Sequence, residues 1–198
     1  ILKVMRSYQF FAVRAISDRV ARMEWDGRDR LGGHIWHTTG SGKTMTSFKA
    51  AYLIATSKDA DKVIFLMDRI ELGEQSLDQY NNFSDIKDFV QSTENSHALI
   101  SKLKSSNSNE VLIVSSIQKM SRIKDEENGL KADDLAKIQK KRIVIIVDEA
   151  HRSTFGDMLI TIKETFPQAV LFGFTGTPIK DENQKNLNTT ATVFGDEL

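Results

Sequence analysis

Two clusters in this chain have the residue types and spacing for phosphate chemistry. The first is Thr39-Gly40-Ser41-Gly42-Lys43-Thr44, preceded by the short apolar pair Ile35-Trp36 and followed by a helical stretch. A turn between a strand and a helix N-terminus gathers backbone N–H groups at the positive end of the helix dipole, which suits a polyphosphate. Gly40 and Gly42 let that backbone approach without a Cβ in the way. Lys43 can set a point charge on the outer phosphates, and the Thr44 hydroxyl can bind magnesium. The second cluster is Asp148-Glu149-Ala150-His151, directly after the apolar run 143–147. Two carboxylates at the tip of a buried strand are costly unless they hold a cation or polarise water. Asp148 can bind magnesium through water, and Glu149 can orient and deprotonate an attacking water. The general phosphate-loop pattern has glycine where His37 stands, so the loop alone also reads as a glycine turn with a chance Gly-Lys-Thr. The Asp-Glu pair in the same chain shifts the balance toward nucleoside triphosphate hydrolysis.

Weaker signals surround these two. Gln9 can pair bidentately with the N6 and N7 edge of adenine, or it is a surface glutamine. Arg69 and Gln75 follow a strand-like run and suit a sugar-phosphate backbone, or they are solvated loop residues. Ser115, Ser116 and Gln118 suit phosphate contacts, and a helix cap at either serine accounts for them equally well. Thr175-Gly176-Thr177-Pro178 makes a tight turn with hydroxyls beside the expected nucleotide, able to sense the γ-phosphate, or it is a plain Gly-Pro turn.

The elements that must position these groups follow from periodicity. Residues 4–24 repeat Tyr8, Phe11, Ala12, Ala15, Ile16, Val20 and Met23 at helical spacing. Residues 27–33 are a loop, and 45–55 form the helix after the phosphate loop. The run 62–67 is a strand buried on both faces, as a parallel sheet requires; 70–80 is a helix and 95–103 a short one. Residues 111–114 and 143–147 are further strands, 121–141 a charged loop with one helix, and 156–166 a helix ended by Pro167. The run 169–174 is a strand, and the polar stretch 181–192 reads as loop. Strand-like runs alternating with helices predict a three-layer α/β domain with a mostly parallel central sheet. Both phosphate-directed clusters then fall at strand C-terminal ends, where open α/β sheets bind ligands.

The 198 residues suffice for one domain with a proper core, and 40% hydrophobic and 27% charged residues give a globular composition. Lys and Arg (27) balance Asp and Glu (27), so contact with nucleic acid must come from a local patch. The absence of cysteine excludes disulfides, zinc–thiolate sites and cysteine nucleophiles. No run is long and apolar enough to span a membrane and no signal peptide is visible, so no membrane association and an intracellular location are expected.

In order along the chain, Arg6-Ser7-Tyr8-Gln9, the Thr-Gly-Ser-Gly-Lys-Thr loop, Asp148-Glu149-Ala150-His151 and Thr175-Gly176-Thr177-Pro178 resemble the motifs of superfamily two helicases and translocases, in the first of their two RecA-type motor domains. Closer still, the chain is similar to the R (restriction and motor) subunit of type I restriction enzymes. Trp36-His37-Thr38-Thr39, Asp68-Arg69, Ser116-Ile117-Gln118-Lys119, His151-Arg152-Ser153, Gly173-Phe174 with the following turn, and Thr190-Ala191-Thr192-Val193-Phe194-Gly195 carry that likeness. The odd His37 agrees with it.

The resemblance implies a RecA-like P-loop NTPase fold over 1–198 and an ATP-driven double-stranded DNA translocase in the prokaryotic cytoplasm, working with methyltransferase and specificity subunits. It implies ATP and Mg2+ as ligands. Gln9 would read adenine; Thr39, Gly40, Ser41, Gly42, Lys43 and Thr44 would hold phosphate, and Thr44 and Asp148 the metal. Lys43, Asp148 and Glu149 would serve catalysis. His151, Thr175, Gly176 and Thr177 would couple hydrolysis to movement, and Arg69, Ser115, Ser116 and Gln118 would touch DNA. The chain shows neither the nuclease signature nor the second motor domain of such subunits. It is therefore expected to be a piece of a longer chain, with weak ATP binding and hardly any hydrolysis of its own. A type III restriction or DNA-repair helicase is the alternative within the superfamily, an ATP-gated protein scaffold the alternative outside it. A small-molecule kinase with a similar loop fits poorly, because of the Asp-Glu-Ala-His tetrad and the lack of a lid-like arginine cluster.

Overall fold

The computed structural model describes residues 4–27, 30–38, 40–68, 90–124, 130–148, 155–176 and 193–198. Thr39, Arg69, the expected helix over 70–80, Glu149, His151, Thr177 and the stretch 181–192 lie outside the described residues.

The described elements run α1 (Ser7–Ala21), β1 (Gly33–Trp36), α2 (Lys43–Ser57), β2 (Lys62–Met67), β3 (Val90–Ser92), α3 (Ser96–Lys104), β4 (Leu112–Ser116), α4 (Ile117–Ser121), α5 (Ala132–Ile138), β5 (Ile143–Val147), α6 (Phe155–Thr165) and β6 (Val170–Thr175). The strands form one sheet in the order β1-β6-β5-β2-β4-β3, every pairing parallel. An all-parallel sheet must be covered on both faces, because its connections are helices that cross over it. Alternation along the strands divides the core accordingly. Val63, Phe65 and Met67 of β2, Val144 and Ile146 of β5, and Val170, Phe172 and Phe174 of β6 pack with α1 and α2. Ile64, Leu66, Ile143, Ile145, Val147 and Leu171 face the opposite way and pack with residues of α3, α4, α5 and α6. This is the expected three-layer α/β architecture. All five residues of β5 are fully buried, and each such Val or Ile stabilises the fold by roughly 1.5–3 kcal/mol relative to exposure.

The expected elements differ from the observed ones at their ends and in one strand. The first helix begins at Ser7 rather than residue 4, where the Arg6 N–H donates to Gln9 Oε1 at 2.9 Å. The 95–103 helix is α3, with Asn95 as its cap: its side-chain oxygen accepts from the Ala98 N–H. The strand expected at 111–114 runs instead over Leu112–Ser116, so both serines belong to it. The strand β3 was not expected. It has three residues and one buried apolar side chain, Val90, too little for periodicity to register. Gly173 stands mid-strand in β6 because Phe194 lies over it: a Cβ there would come within 2.9 Å of that ring.

Candidate functional site

A parallel sheet puts all strand C-termini at one edge, and the expected site residues gather there. At the β1 end, chain reversal into α2 needs two left-handed residues: Gly40 has φ 81° and Gly42, the N-cap of α2, has φ 82°. A Cβ at Gly40 would meet no described atom within 4 Å, so the outer side of the turn is open to the described residues. A Cβ at Gly42 would come within 2.7 Å of Gln9 Nε2. Lys43 opens the helix and is buried, while Thr44 beside it is exposed. The Ser41 hydroxyl is buried and, among the described residues, has no hydrogen-bond partner.

The N-terminus of α1 clamps this loop. Tyr8 OH donates to the Ser41 carbonyl at 2.7 Å, and Gln9 Nε2 donates to the same carbonyl at 3.2 Å. Gln9 is 3% exposed. Its amide thus connects the start of the first helix to the loop, in addition to the adenine-reading role expected for it.

The β6 end abuts the loop from the other side. Trp36 pairs with Thr175 across the sheet, the His37 N–H donates to the Thr175 carbonyl at 2.9 Å, and Trp36 Nε1 donates to the Gly176 carbonyl at 3.0 Å. Thr175 and Gly176, the described part of the expected coupling turn, therefore touch the root of the phosphate loop. The His37 ring lies edge-on between Tyr8 (5.2 Å) and Phe174 (6.2 Å). Burial, and then the charge of Lys43, hold the His37 imidazole below its ordinary pKa. It is therefore neutral at pH 7 and adds an aromatic ring, not a second cation, to the site.

Asp148 follows β5, the next strand beyond β6, so it and Lys43 share one edge of the sheet. It is 1% exposed, and its N–H donates to the Leu66 carbonyl at 2.9 Å, fixing the strand tip. A buried carboxylate is retained only with a compensating partner or ion. With the glycine turn, the Ser41 hydroxyl that no described residue engages and the buried Lys43, the donor set fits a magnesium-bound triphosphate.

The other half of the edge holds the residues expected at DNA. Gln118 Nε2 donates to Asp68 Oδ1 at 3.1 Å. The Ser116 hydroxyl accepts from the Lys119 N–H at 3.2 Å, the capping alternative raised by the sequence. Ser115 is buried, its hydroxyl 2.9 Å from Thr93 Oγ1, and Lys119 Nζ reaches the Thr93 carbonyl. As described, then, both hydroxyls serve the fold locally. Tyr8, His37 and Phe174 are the site residues that sequence reasoning did not assign. Tyr8 and Phe174 stood inside the motifs that carry the resemblance, without a role, and the break in the glycine pattern marked His37.

A family model described as SWI2/SNF2 ATPase matches residues 8–198. The chain belongs to the SWI2/SNF2 ATPase family. The match spans every element of this ATPase fold, from the clamp on α1 to the residues beside β1. Among curated relatives, the chain is 44% identical over 196 residues to the type I restriction enzyme SsaAORF53P endonuclease subunit of Staphylococcus saprophyticus, covering 98% of this chain and 20% of that one. It is 41% identical over 196 residues to the type I restriction enzyme SauCOLORF180P endonuclease subunit of Staphylococcus aureus, again 98% of this chain and 20% of the relative. This ATPase chain thus spans about a fifth of the length of the curated relatives it matches. Among solved structures it resembles a nuclease-deletion mutant of the type ISP restriction-modification enzyme LlaGI in complex with a DNA substrate mimic. There the TM-score is 0.61 at 19% identity, over 98% of this chain and 19% of that one. That likeness concerns the fold.

Proposed function

We propose that this chain is the nucleotide-binding half of the motor of a type I restriction enzyme R subunit, coupling ATP hydrolysis to double-stranded DNA translocation ahead of cleavage. The observation that carries the reading is the shared sheet edge. A glycine turn with its open side free, a buried Lys43 and a buried Asp148 stand at the C-terminal ends of strands separated only by β6.

In this reading, backbone N–H groups at the start of α2, the Ser41 hydroxyl and Lys43 bind the phosphates. Thr44 and Asp148 would hold a magnesium ion, which would supply neutralisation of the triphosphate's charge. Glu149 takes the proton of the attacking water, and Gln9 orients the adenine against α1. The reaction is phosphoryl transfer to water, which releases ADP and phosphate. Thr175, Gly176, Thr177 and His151 transmit the loss of the γ-phosphate. Arg69, Ser115, Ser116 and Gln118 are the residues proposed to meet DNA. The nuclease and the second motor domain belong to other parts of the parent subunit. That subunit acts with methyltransferase and specificity subunits, in the prokaryotic cytoplasm.

The test is ATP turnover by the full-length subunit with and without double-stranded DNA. DNA should stimulate turnover, and Lys43→Ala and Glu149→Gln should each lower it by two orders of magnitude or more. Glu149→Gln should leave ATP binding largely intact, because the lost proton acceptor acts in the transition state and not in the bound state. Turnover indifferent to DNA would replace the motor by an ATP-gated scaffold.

A further inference from the structure

The phosphate loop departs from its general pattern at His37, and the structure gives that residue more connections than a glycine could make. Its N–H holds the Thr175 carbonyl at 2.9 Å. Its ring meets Tyr8 at 5.2 Å and an interplanar angle of 88°, and Phe174 at 6.2 Å and 71°. Both are edge-to-face geometries, the favourable arrangement for aromatic pairs. Phe174 is fully buried in the core, so the stack is anchored at that end. At the other end Tyr8 carries the connection onward, its hydroxyl on the Ser41 carbonyl at 2.7 Å. A continuous path of contacts therefore runs from β6, through His37 and Tyr8, to the phosphate loop.

The ring contributes here as an aromatic body. Among the described residues, Nδ1 is buried without a hydrogen-bond partner. A polar atom left so is a cost and not a contact. Burial and the neighbouring Lys43 also disfavour the imidazolium. A charged contact to phosphate is thus the poorer account of the histidine.

We infer that His37 is a positioning residue for ATP hydrolysis: its ring wedges Tyr8 onto the Ser41 carbonyl and keeps the Thr175-Gly176 end of β6 in register with the phosphate loop. This deepens the motor reading and rests on it. In this inference His37 acts through Tyr8 and β6, the two elements its ring and N–H contact. Removing the ring frees Tyr8 and loosens the loop that binds phosphate, while the backbone tie to Thr175 survives. The loss should therefore appear first in the affinity for ATP.

The experiment measures ATP affinity with a fluorescent ATP analogue, and DNA-stimulated KM and kcat, on the full-length subunit. His37→Gly, which restores the general loop pattern, should raise Kd and KM about tenfold and lower kcat less. His37→Phe, which keeps an aromatic body and removes the unpartnered nitrogen, should recover most of that loss. Tyr8→Phe, which keeps the ring contact and removes the hydroxyl, should raise KM severalfold. Combined with His37→Gly it should add little, since both act on one path. Wild-type affinity in a folded His37→Gly subunit overturns the inference. So does a His37→Phe subunit as impaired as His37→Gly, or full additivity of the two losses. If His37→Gly does not fold, the Tyr8→Phe and His37→Phe arms decide the matter alone. DNA-independent turnover by the wild type would remove the motor reading, and the affinity arm would still judge His37.

Discussion

Gly40 and Gly42 show how the same residue type at two positions of one turn answers to different constraints. Both have φ near +80°, where a Cβ costs about 1–2 kcal/mol. At Gly40 that is the whole cost of alanine, because the added methyl meets nothing. At Gly42 the methyl would also strike Gln9 Nε2, and Gln9 is buried with its Oε1 engaged by the Arg6 N–H. Gly42→Ala must therefore displace Gln9 and break the clamp of α1 on the loop, losing about 1–2 kcal/mol more in hydrogen bonds. Thermal melts should place Gly42→Ala several degrees below Gly40→Ala. Only Gly42→Ala should lower the affinity for ATP beyond what Gly40→Ala costs. Equal melting temperatures would mean that Gln9 yields freely.

The strands of this sheet show which elements a sequence displays. The run 143–147 is legible because a parallel strand is buried on both faces and so reads as unbroken apolar residues. The strand Val90–Ser92 is not, because Gln91 and Ser92 are only half-buried and β3 is an edge strand with one neighbour. The chemistry of the loop was legible in Gly40, Gly42 and Lys43, since their roles depend on local backbone. The clamp was not: Tyr8 and Ser41 meet only because α1 packs on α2, a tertiary fact that no periodicity carries. Ser115 and Ser116 lie between these cases. Their residue types allowed a cap or a phosphate contact, and only the register of β4 shows Ser116 capping α4.

At the same scale, the start of β2 carries a titratable cost. Lys62 is 1% exposed, its Nζ donating to the Glu110 carbonyl at 2.6 Å. Burial, and next the charge of Lys141, push its pKa down to about 8. In the unfolded chain the amine titrates near 10.5, so between pH 8 and 10.5 the folded state holds fewer protons than the unfolded one. Stability therefore rises with pH across that window, and the full cost, on the order of 1–3 kcal/mol, is present below pH 8. Relative to Lys62→Met, the wild type should gain stability from pH 7 to pH 10, seen as a changing difference between the two melting temperatures. A difference constant with pH would place the amine in contact with water.

Across the whole molecule, the arrangement divides labour along one sheet edge. Among the described residues, the β1, β6 and β5 ends carry those proposed for nucleotide, and the β4 end and the helix after it carry Ser115, Ser116 and Gln118, proposed for DNA. Asp148 sits at the boundary, its N–H on the Leu66 carbonyl of β2, so a hydrogen bond joins the half proposed for nucleotide to β2. Such an edge is proposed to bind and orient a triphosphate, but phosphoryl transfer also needs charge stabilisation on the γ-phosphoryl oxygens. In motors of this kind an arginine from a facing domain typically supplies about three to five orders of magnitude in rate. This chain spans about a fifth of the length of its curated relatives, and the second motor domain is proposed to lie in the remainder. The chain by itself should then bind ATP weakly and turn it over at least about a thousandfold more slowly than the full-length subunit on DNA. Measuring kcat for both under the same conditions decides the point. Comparable turnover would place the complete catalytic set within these 198 residues, and the division of the motor between two facing domains would have to be abandoned.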